Sequence, residues 1–291
     1  MQSINSNPLY RLFIPKPLRT YIWKKYLKSK IINTYKDTKN SEIKQIIKNI
    51  RKNGLQIIPS NLQKKYDEKE IQVYYDESKK LKYSNFMVDK KIYFKKEWST
   101  KRIQKTLNQL LIEQDINSPH KYLTKKFNVD HNTIVADIGC AEANFSLEIV
   151  DKVKHIYLFE TNKQWNKPLK ATFEKYKKKV TIINKKFSNH NSNSHIDGSN
   201  FLKNKAINFL KIDVDGYEEE VMNSLNETIK KARRMKIALC TYHSNNDYKK
   251  YSELLKSLNY KVTSSKGYMI FYWDKKLNYP YLRKGVLRAE K

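Results

Sequence analysis

The stretch from Thr133 to Phe145 constrains the fold of this chain more than any other. It reads TIVADIGCAEANF, which is an apolar run, an acid, a turn of small residues and the polar start of a helix. An uninterrupted apolar run is typical of a central parallel strand covered on both faces. Small side chains let the backbone pass close to a ligand. A junction of strand, turn and helix of this kind is where open α/β sheets bind nucleotide-like molecules.

The position of Glu160 indicates what kind of nucleotide-like molecule fits. Glu160 lies 21 residues beyond Gly139, at the end of the next apolar run. An acid about 20 residues past the turn meets a ribose in such a unit. The G-x-G-x-x-G spacing of dinucleotide sites is absent, and alanines replace the glycines that let a pyrophosphate lie against the backbone. These features favour a ligand without phosphates, and S-adenosylmethionine fits this description.

From residue 133 onwards, strand and helix patterns alternate, which predicts βαβ units and a mostly parallel sheet. The predicted strands are 133–137, 155–160, 179–184, 207–213, 235–241, and a closing pair at 260–264 and 268–273. The predicted helices are 144–152, 165–177, 217–231 and 247–258. The short turn in the closing pair predicts an antiparallel hairpin, and the Asn/Ser-rich segment 188–200 is expected to be a loop.

The first part of the chain reads as a basic, mainly helical extension. Pro17 suits the first turn of a helix, and residues 85–94 are typical of a short hairpin. A cap at Ser99 or Thr100 begins a helix with apolar residues at i, i+4, i+7 and i+8. We therefore divide the chain into an N-terminal extension, residues 1–114, and an α/β domain, residues 115–291.

The net charge of +30 comes mostly from lysine, since only 8 of the 59 basic residues are arginines. Arginine is the residue expected for bidentate recognition of phosphates and bases, whereas lysine serves as a solvated point charge. The charge alone therefore does not identify a nucleic-acid-binding protein, although an acidic partner stays open. Residues 1–60 hold 13 basic and 2 acidic side chains, which predicts peripheral contact with an anionic membrane face.

The sequence favours a cytoplasmic location. No uninterrupted apolar stretch precedes Arg11, so no signal peptide is expected. No segment approaches the ~20 apolar residues of a membrane span. Cys140 and Cys240 give no disulfide framework, are expected to be small buried residues, and indicate a reducing compartment.

Several ordered motifs together resemble class I S-adenosylmethionine-dependent methyltransferases and, within them, the FkbM family. These motifs are DIGCAEA at 137–143, LFE at 158–160, LKIDVDGYE at 210–218 and CTYH at 240–243. The ending PYLRKGVLRA at 280–289 and the segment SPHKY at 118–122 are similar to a subgroup from bacterial polysaccharide gene clusters. The resemblance implies a doubly wound, mostly parallel seven-stranded sheet of the Rossmann-like type with a C-terminal antiparallel hairpin. Its cofactor would be S-adenosyl-L-methionine.

The resemblance also implies a set of site residues at the first turn, the second strand and the fourth strand. The residues predicted to bind the cofactor are Asp137, Gly139, Cys140, Ala141, Glu142, Asn144, Phe145, Glu160, Thr161, Ser188 and Asp213. Structural roles stay open for some of them: Asp137 as a cap of the turn amides, and Asp213 or Asp215 as a turn or N-cap residue. Two positions depart from the family pattern. Ala143 stands in place of glycine, which is tolerated where φ is negative, and Asp215 in place of the commoner glutamate.

The predicted reaction is direct, in-line methyl transfer to an oxygen. His243 is the favoured general base and Asp213 the second candidate, because both follow strands that end at one edge of the sheet. A satisfied polar role for His243 stays open. No spacing among His120, His155, His190 and His195 predicts a metal site.

The resemblance, rather than the residues themselves, implies the acceptor: a sugar hydroxyl of a cell-surface glycan or its lipid-linked precursor. Two alternatives belong to other classes. One is a nucleic-acid methyltransferase or RNA-binding protein, which would bind nucleic acid with a steep salt dependence. The other is a non-catalytic scaffold with a decayed cofactor site, favoured by Ala141 and Ala143.

Overall fold

The structure, a computed structural model, describes residues 15–274 and 277–291. Between residues 15 and 114, the N-terminal extension has three α-helices and a three-stranded antiparallel sheet. In chain order they are α1 (Lys16–Thr34), α2 (Ser41–Asn53), β1 (Tyr74–Asp76), β2 (Leu81–Met87), β3 (Lys90–Tyr93) and α3 (Thr100–Glu113). Pro17 lies in the first turn of α1, and Ser99 caps α3 by accepting a hydrogen bond from the amide of Arg102, at 3.2 Å. Both predictions are confirmed.

The remaining elements form the α/β part of the chain. They are β4 (Ile134–Ile138), α4 (Asn144–Ile149), β5 (His155–Phe159), α5 (Asn166–Thr172), β6 (Val180–Ile183), β7 (Lys186–Ser188), β8 (His195–Asp197), α6 (Gly198–Lys205), β9 (Phe209–Ile212), α7 (Glu218–Lys231), β10 (Lys236–Cys240), α8 (Asp247–Ser257), β11 (Lys261–Ser264) and β12 (Val286–Glu290). Seven of the strands form one sheet in the order β11-β12-β10-β9-β4-β5-β6. Five neighbouring strands, β10, β9, β4, β5 and β6, pair in parallel. Strand β12 runs antiparallel to both its neighbours, β10 and β11. The predicted doubly wound sheet is confirmed.

The C-terminal antiparallel pair is present, but its second strand differs from the predicted one. Residues 286–290, not 268–273, pair with β11 and insert between it and β10. The short turn after β11 favoured a local hairpin, whereas the observed partner is buried along most of its length. Segment 268–273 instead forms a single bridge, Met269 to Arg283. It places Ile270 against the N-terminal helices.

The predicted loop at 188–200 is wrong in part. Strands β7 and β8 pair there in parallel, and Asp197 caps α6 by accepting from the amide of Asn200. Gly198 permits this packing, since a Cβ there would lie 1.9 Å from the ring of Phe187. The Asn/Ser-rich composition suggested a loop, although the segment contains the cap of α6 and is followed by the buried Leu202.

The helix predicted over 165–177 is shorter in the structure. Only α5 is α-helical, and single 3₁₀ turns flank it at 163–165 and 174–176. The predicted helix 144–152 likewise ends at Ile149 and continues as a 3₁₀ turn. The hairpin at 85–94 is confirmed as β2 and β3, although β2 begins at Leu81 and a third strand joins it.

The extension is packed against the α/β part rather than tethered to it. Apolar residues such as Phe94 and Leu107 share one hydrophobic core with Val135 and Phe145, on one face of the sheet. The division at residue 114 stays a prediction, and residues on both sides of it belong to this core. No helix within residues 15–274 and 277–291 combines the length and apolar character needed to span a lipid bilayer.

Helices α1 and α2 pack on a later part of the chain. Their buried residues include Leu27, Ile31 and Ile50, and these form a cluster with Ile270, Leu277 and Leu282. Burying a side chain of this size contributes about 1.5–3 kcal/mol. The cluster therefore fixes the segment between β11 and β12 against the N-terminal helices.

Candidate active site

The candidate site lies where the carboxyl ends of β4, β5, β9 and β10 meet. Ile138 is in register with Phe159 on one side and with Ile212 on the other, so these strands end at the same level. Glu160 and Asp213 directly follow two of them. His243 follows β10 three residues after its end. The strand order reverses beside β4, and ligands bind at such a reversal in open α/β sheets.

The turn after β4 has an unusual backbone. Gly139, Ala141 and Ala143 have φ values of +76°, +44° and +56°. Gly139 is required there, because a Cβ would lie 2.0 Å from the carbonyl oxygen of Asp213. The two alanines occupy a region that costs an L-residue roughly 1–2 kcal/mol. The negative φ under which Ala143 would replace glycine without strain is therefore not found.

Asp137 supports this turn from below. Its side chain is fully buried, accepts a hydrogen bond from the hydroxyl of Ser146 at 2.7 Å, and lies 3.0 Å from Lys211 Nζ. Lys211 also donates to the carbonyl oxygen of Gly139, at 2.6 Å. Burial alone would lower the pKa of Lys211, but the carboxylates of Asp137 and Asp213 raise it. Asp137 therefore orders the turn through a buried ion pair.

Glu160 contacts the turn from the neighbouring strand. Its Oε2 accepts a hydrogen bond from the amide of Ala141 at 3.0 Å, and its Oε1 accepts from the amide of Asn162 at 2.7 Å. A carboxylate has about four acceptor positions, so each oxygen keeps one for a ligand hydroxyl. This arrangement fits a ribose diol. Thr161, next in the chain, is exposed.

Two further charged groups are Glu142, within the turn, and Lys95, whose pKa responds to burial and to the charges of Glu142 and Glu160. Burial raises the pKa of Glu142 to about 7. Lys95 is buried, with its Nζ 4.5 Å from the centre of the Trp165 ring, and burial lowers its pKa. An acid and a cation suit the amino and carboxylate groups of a methionine moiety. Together with the acceptor positions on Glu160, the chain has groups that fit S-adenosylmethionine.

The other predicted cofactor residues lie within the turn, at the start of α4 and at the end of β7. Cys140 is buried, and burial raises the pKa of its thiol. Asn144 and Phe145 begin α4, and the Phe145 ring packs on Tyr122 in the core. Ser188 lies at the end of β7, where its hydroxyl donates to the carbonyl of His190 at 3.0 Å. Direct contact of these residues with the cofactor stays a prediction.

Asp213 is held by a network that the sequence patterns did not reveal. The hydroxyl of Tyr122 donates to its Oδ2 at 2.8 Å, and that of Tyr242 donates to its Oδ1 at 3.4 Å. His120 Nε2 lies 3.6 Å from Oδ2. Burial alone would raise the pKa of Asp213, but the contact with His120 and the charge of Lys211 lower it. Two segments noted in the sequence contribute to this network: SPHKY supplies His120 and Tyr122, and CTYH supplies Tyr242.

His243 lies beside Asp213 and is surrounded by acids. Its Nδ1 is 2.9 Å from Glu218 Oε1, and its Nε2 is 3.6 Å from Asp215 Oδ1 and 3.8 Å from Asp213 Oδ1. Burial alone would lower the pKa of His243, but the carboxylates of Asp215 and Glu218 raise it to about 10. The role of His243 as general base stays a prediction. The sequence did not single out Glu218, the first residue of α7.

A polar groove of about 600 Å³ opens next to His243. Its lining includes Glu218, Asn245, Asp247, Asn278, Tyr279 and Arg283. The Arg283 guanidinium donates to the carbonyls of Tyr242 and His243 at 2.9 and 2.7 Å. It is also paired with Asp274 at 2.5 Å. Arg283 thus fixes the loop after β10 and the wall of the groove.

Comparisons with known proteins give one family match and several structures with limited similarity. The family model described as "Methyltransferase FkbM domain" matches residues 102–268. Among solved structures, the chain is similar to methyltransferase FkbM from Methylobacillus flagellatus KT, at 14% identity and a TM-score of 0.43; the match covers 66% of this chain and 55% of that chain. No curated protein sequence matches the chain significantly.

Two further structures illustrate the range of similar proteins. Precorrin-6y C5,15-methyltransferase from Geobacter metallireducens GS-15 has 16% identity and a TM-score of 0.37, over 57% of this chain and 85% of that chain. TrmK from M. capricolum, solved with S-adenosyl-homocysteine, has 19% identity and a TM-score of 0.34, over 58% and 68%.

The fold, the ordered turn and the family match define a class I S-adenosylmethionine-dependent methyltransferase. The match covers more than half of the 291 residues. The chain belongs to the FkbM methyltransferase family, and S-adenosyl-L-methionine is its methyl donor. The predicted family, fold and cofactor are confirmed, whereas membership of the polysaccharide subgroup stays a prediction.

Proposed function

We propose that this protein transfers a methyl group from S-adenosylmethionine to a sugar hydroxyl of a cell-surface glycan or its lipid-linked precursor, in the cytoplasm. The polar groove beside Asp213 and His243 carries the proposal. It adjoins the edge at which the donor would bind, and its lining offers amide and carboxylate groups. Such groups bind polyhydroxyl compounds through multiple hydrogen bonds. The exposed ring of Tyr279 provides an apolar face for a sugar.

In the proposed reaction, the hydroxyl oxygen attacks the methyl carbon in line with the sulfonium. The C–S bond breaks as the O–C bond forms, S-adenosylhomocysteine leaves, and the hydroxyl proton passes to the edge formed by Asp213 and His243. Because the sulfonium is already activated, the protein mainly aligns donor and acceptor. Alignment of this kind contributes roughly 7–11 kcal/mol of the barrier.

A transfer assay with methyl-labelled S-adenosylmethionine tests this function. Acceptors of three kinds are offered: lipid-linked oligosaccharides, purified polysaccharide and total RNA. Label is expected in the carbohydrate fractions and resists mild base, because the product is an ether. Label in RNA would favour the nucleic-acid alternative. No thermal stabilisation by the donor would favour the non-catalytic scaffold, since a ligand that binds the native state must stabilise it.

A second part of the proposal concerns the basic surface of the extension. A groove of about 650 Å³ on α2 and the segment before it is lined by Lys36, Lys44, Lys48, Arg51 and Lys52. Cations this close together attract anionic lipid headgroups, at about 1 kcal/mol for each one near the surface. This surface would hold the enzyme near a lipid-linked acceptor.

Flotation with vesicles tests the membrane contact. The triple variant K44E/K48E/K52E is expected to lose most of its binding to phosphatidylglycerol vesicles, because it replaces three exposed cations with anions. The matched control K175E/K177E/K178E changes three exposed lysines elsewhere by the same charge. Equal flotation of the two variants would contradict a specific basic surface. Substitution is preferable to deletion of residues 1–60, which would expose Ile270 and Leu277.

A further inference from the structure

We propose that Asp213, Glu218 and His243 bind one divalent transition-metal ion at the edge of the groove. Each residue offers one ligand atom, and the three atoms lie within 4.8 Å of one another. They come from three separate segments: the end of β9, the start of α7 and the loop after β10. Spacing patterns in the sequence could not reveal a set of this kind.

The distances suit a common ion. Ligand atoms that bind a metal at about 2.0–2.2 Å stand roughly 3–3.5 Å from one another. Glu218 Oε1 is 2.9 Å from His243 Nδ1, and Asp213 Oδ1 is 3.8 Å from Nε2. The two carboxylates lie nearest to different nitrogens of the ring, and one nitrogen would bind the ion. Rotation of the imidazole and of one carboxylate side chain would therefore bring the three donors together.

The imidazole of His243 points independently to a ligand. Its side chain is 2% exposed, and neither ring nitrogen has a hydrogen-bond partner among residues 15–274 and 277–291. Glu218 Oε1 is near Nδ1 but lies outside the angle at which a ring N–H donates. Buried polar groups without partners are rare and costly. A metal ion would give one ring nitrogen of His243 a partner, and the Glu218 carboxylate, which accepts a hydrogen bond from the amide of Val214, keeps acceptor positions for the same ion.

The local charge also favours a cation. The carboxylates of Asp213, Asp215 and Glu218 surround one imidazole. The cations of the same edge are already used, because Lys211 is paired with Asp137 and Arg283 with Asp274. A divalent ion balances this excess of negative charge better than one proton on His243 does.

The ligand set selects the kind of metal. An imidazole with two carboxylates suits Zn²⁺ or Mn²⁺, whereas Mg²⁺ and Ca²⁺ prefer oxygen ligands alone. Three protein ligands leave positions open on the side of the groove, as in catalytic sites. If the proposed function holds, the acceptor hydroxyl would bind at one of these open positions, and the metal would make it more acidic. This step alone rests on the proposed function.

A second group of three, His120, Asp213 and Cys240, is less suited to hold the ion. The His120 ring already contacts Gln114 and the Tyr242 hydroxyl, at 3.5 and 3.3 Å. Cys240 is fully buried, and burial raises the pKa of its thiol. Thiolate formation is required for metal binding. The group also lies away from the groove lining.

Calorimetry on the full-length protein tests the metal site. After treatment with chelator, the protein is titrated with ZnCl₂ and with MnCl₂. Binding of one ion per chain at micromolar or lower Kd is expected for at least one metal. Glu218→Gln and His243→Gln should each weaken it at least tenfold. The matched control is Glu220→Gln, which changes an exposed acid two residues further along α7. This variant should bind the metal with the affinity of the unmodified protein.

The possible outcomes separate this proposal from the proposed function. No binding of either metal, or equal binding by the Glu218→Gln/His243→Gln double variant, overturns the metal site. Thermal unfolding checks that each variant is folded before its affinity is read. Donor binding and methyl transfer are measured on the metal-free protein as well. A metal-free enzyme that transfers methyl at the full rate would leave the function intact and remove the role of the ion.

Discussion

Glu160→Ala is expected to weaken the binding of S-adenosylmethionine at least tenfold. The substitution removes both acceptor oxygens proposed for the ribose and leaves the amides of Ala141 and Asn162 without their carboxylate. A hydrogen bond to a charged group contributes about 1.5–3 kcal/mol, and a tenfold loss of affinity corresponds to about 1.4 kcal/mol. Calorimetry with the full-length protein measures the change.

Two further variants sharpen this test. Glu160→Gln keeps the shape and one acceptor oxygen, so its affinity should lie between those of the unmodified protein and Glu160→Ala. Glu253→Ala removes the same charge from an exposed position on α8 and should have no effect. Unchanged affinity in a folded Glu160→Ala variant would show that the ribose does not bind at this strand end.

His243→Ala is expected to lower kcat by at least about 10²-fold, while the Kd of S-adenosylmethionine changes less than threefold, a margin of about 0.6 kcal/mol. The ring lies between Asp213 and the groove and does not belong to the turn that would bind the donor. Both a proton transfer at this edge and a metal bound there act through the same side chain. Steady-state kinetics with a separate measurement of donor affinity distinguishes chemistry from binding.

The control for this prediction is His131→Ala, which removes an exposed histidine that precedes β4 in the chain. Because His243 is buried, His243→Gln is measured in parallel to limit the cavity that alanine creates. Full turnover by either folded variant of His243 would remove this residue from the mechanism. A parallel loss of donor affinity would instead place it in the donor site.

The sequence was sufficient to predict the centre of the fold, because the information there is local. The apolar runs before Asp137 and Glu160 and the helix pattern after Gly216 specify burial on their own. The partner of β11 could not be read in the same way. Residues 286–290 pair with it across more than twenty intervening residues, and only the tertiary structure determines that pairing.

The candidate site, too, could be predicted where the information is local and not where it depends on the tertiary structure. Glu160, Asp213 and His243 were brought together by the rule that parallel strands end at one edge, and the structure has them at that edge. Lys211 and Lys95 were missed, because in a chain with so many lysines no local pattern tells which ones are buried. Their importance comes from desolvation and from the acids around them, and both are properties of the folded molecule.

The packing of α1 and α2 on residues 268–272 and 277–282 makes donor binding and acceptor binding depend on different regions of the chain. The donor turn is braced from within, by Asp137 and Lys211. The far wall of the groove, with Asn278 and Tyr279, adjoins Leu277 and Leu282, which the N-terminal helices cover. An enzyme without α1 and α2 would thus keep the residues that brace the donor turn and lose the rigidity with which the groove selects what receives the methyl group.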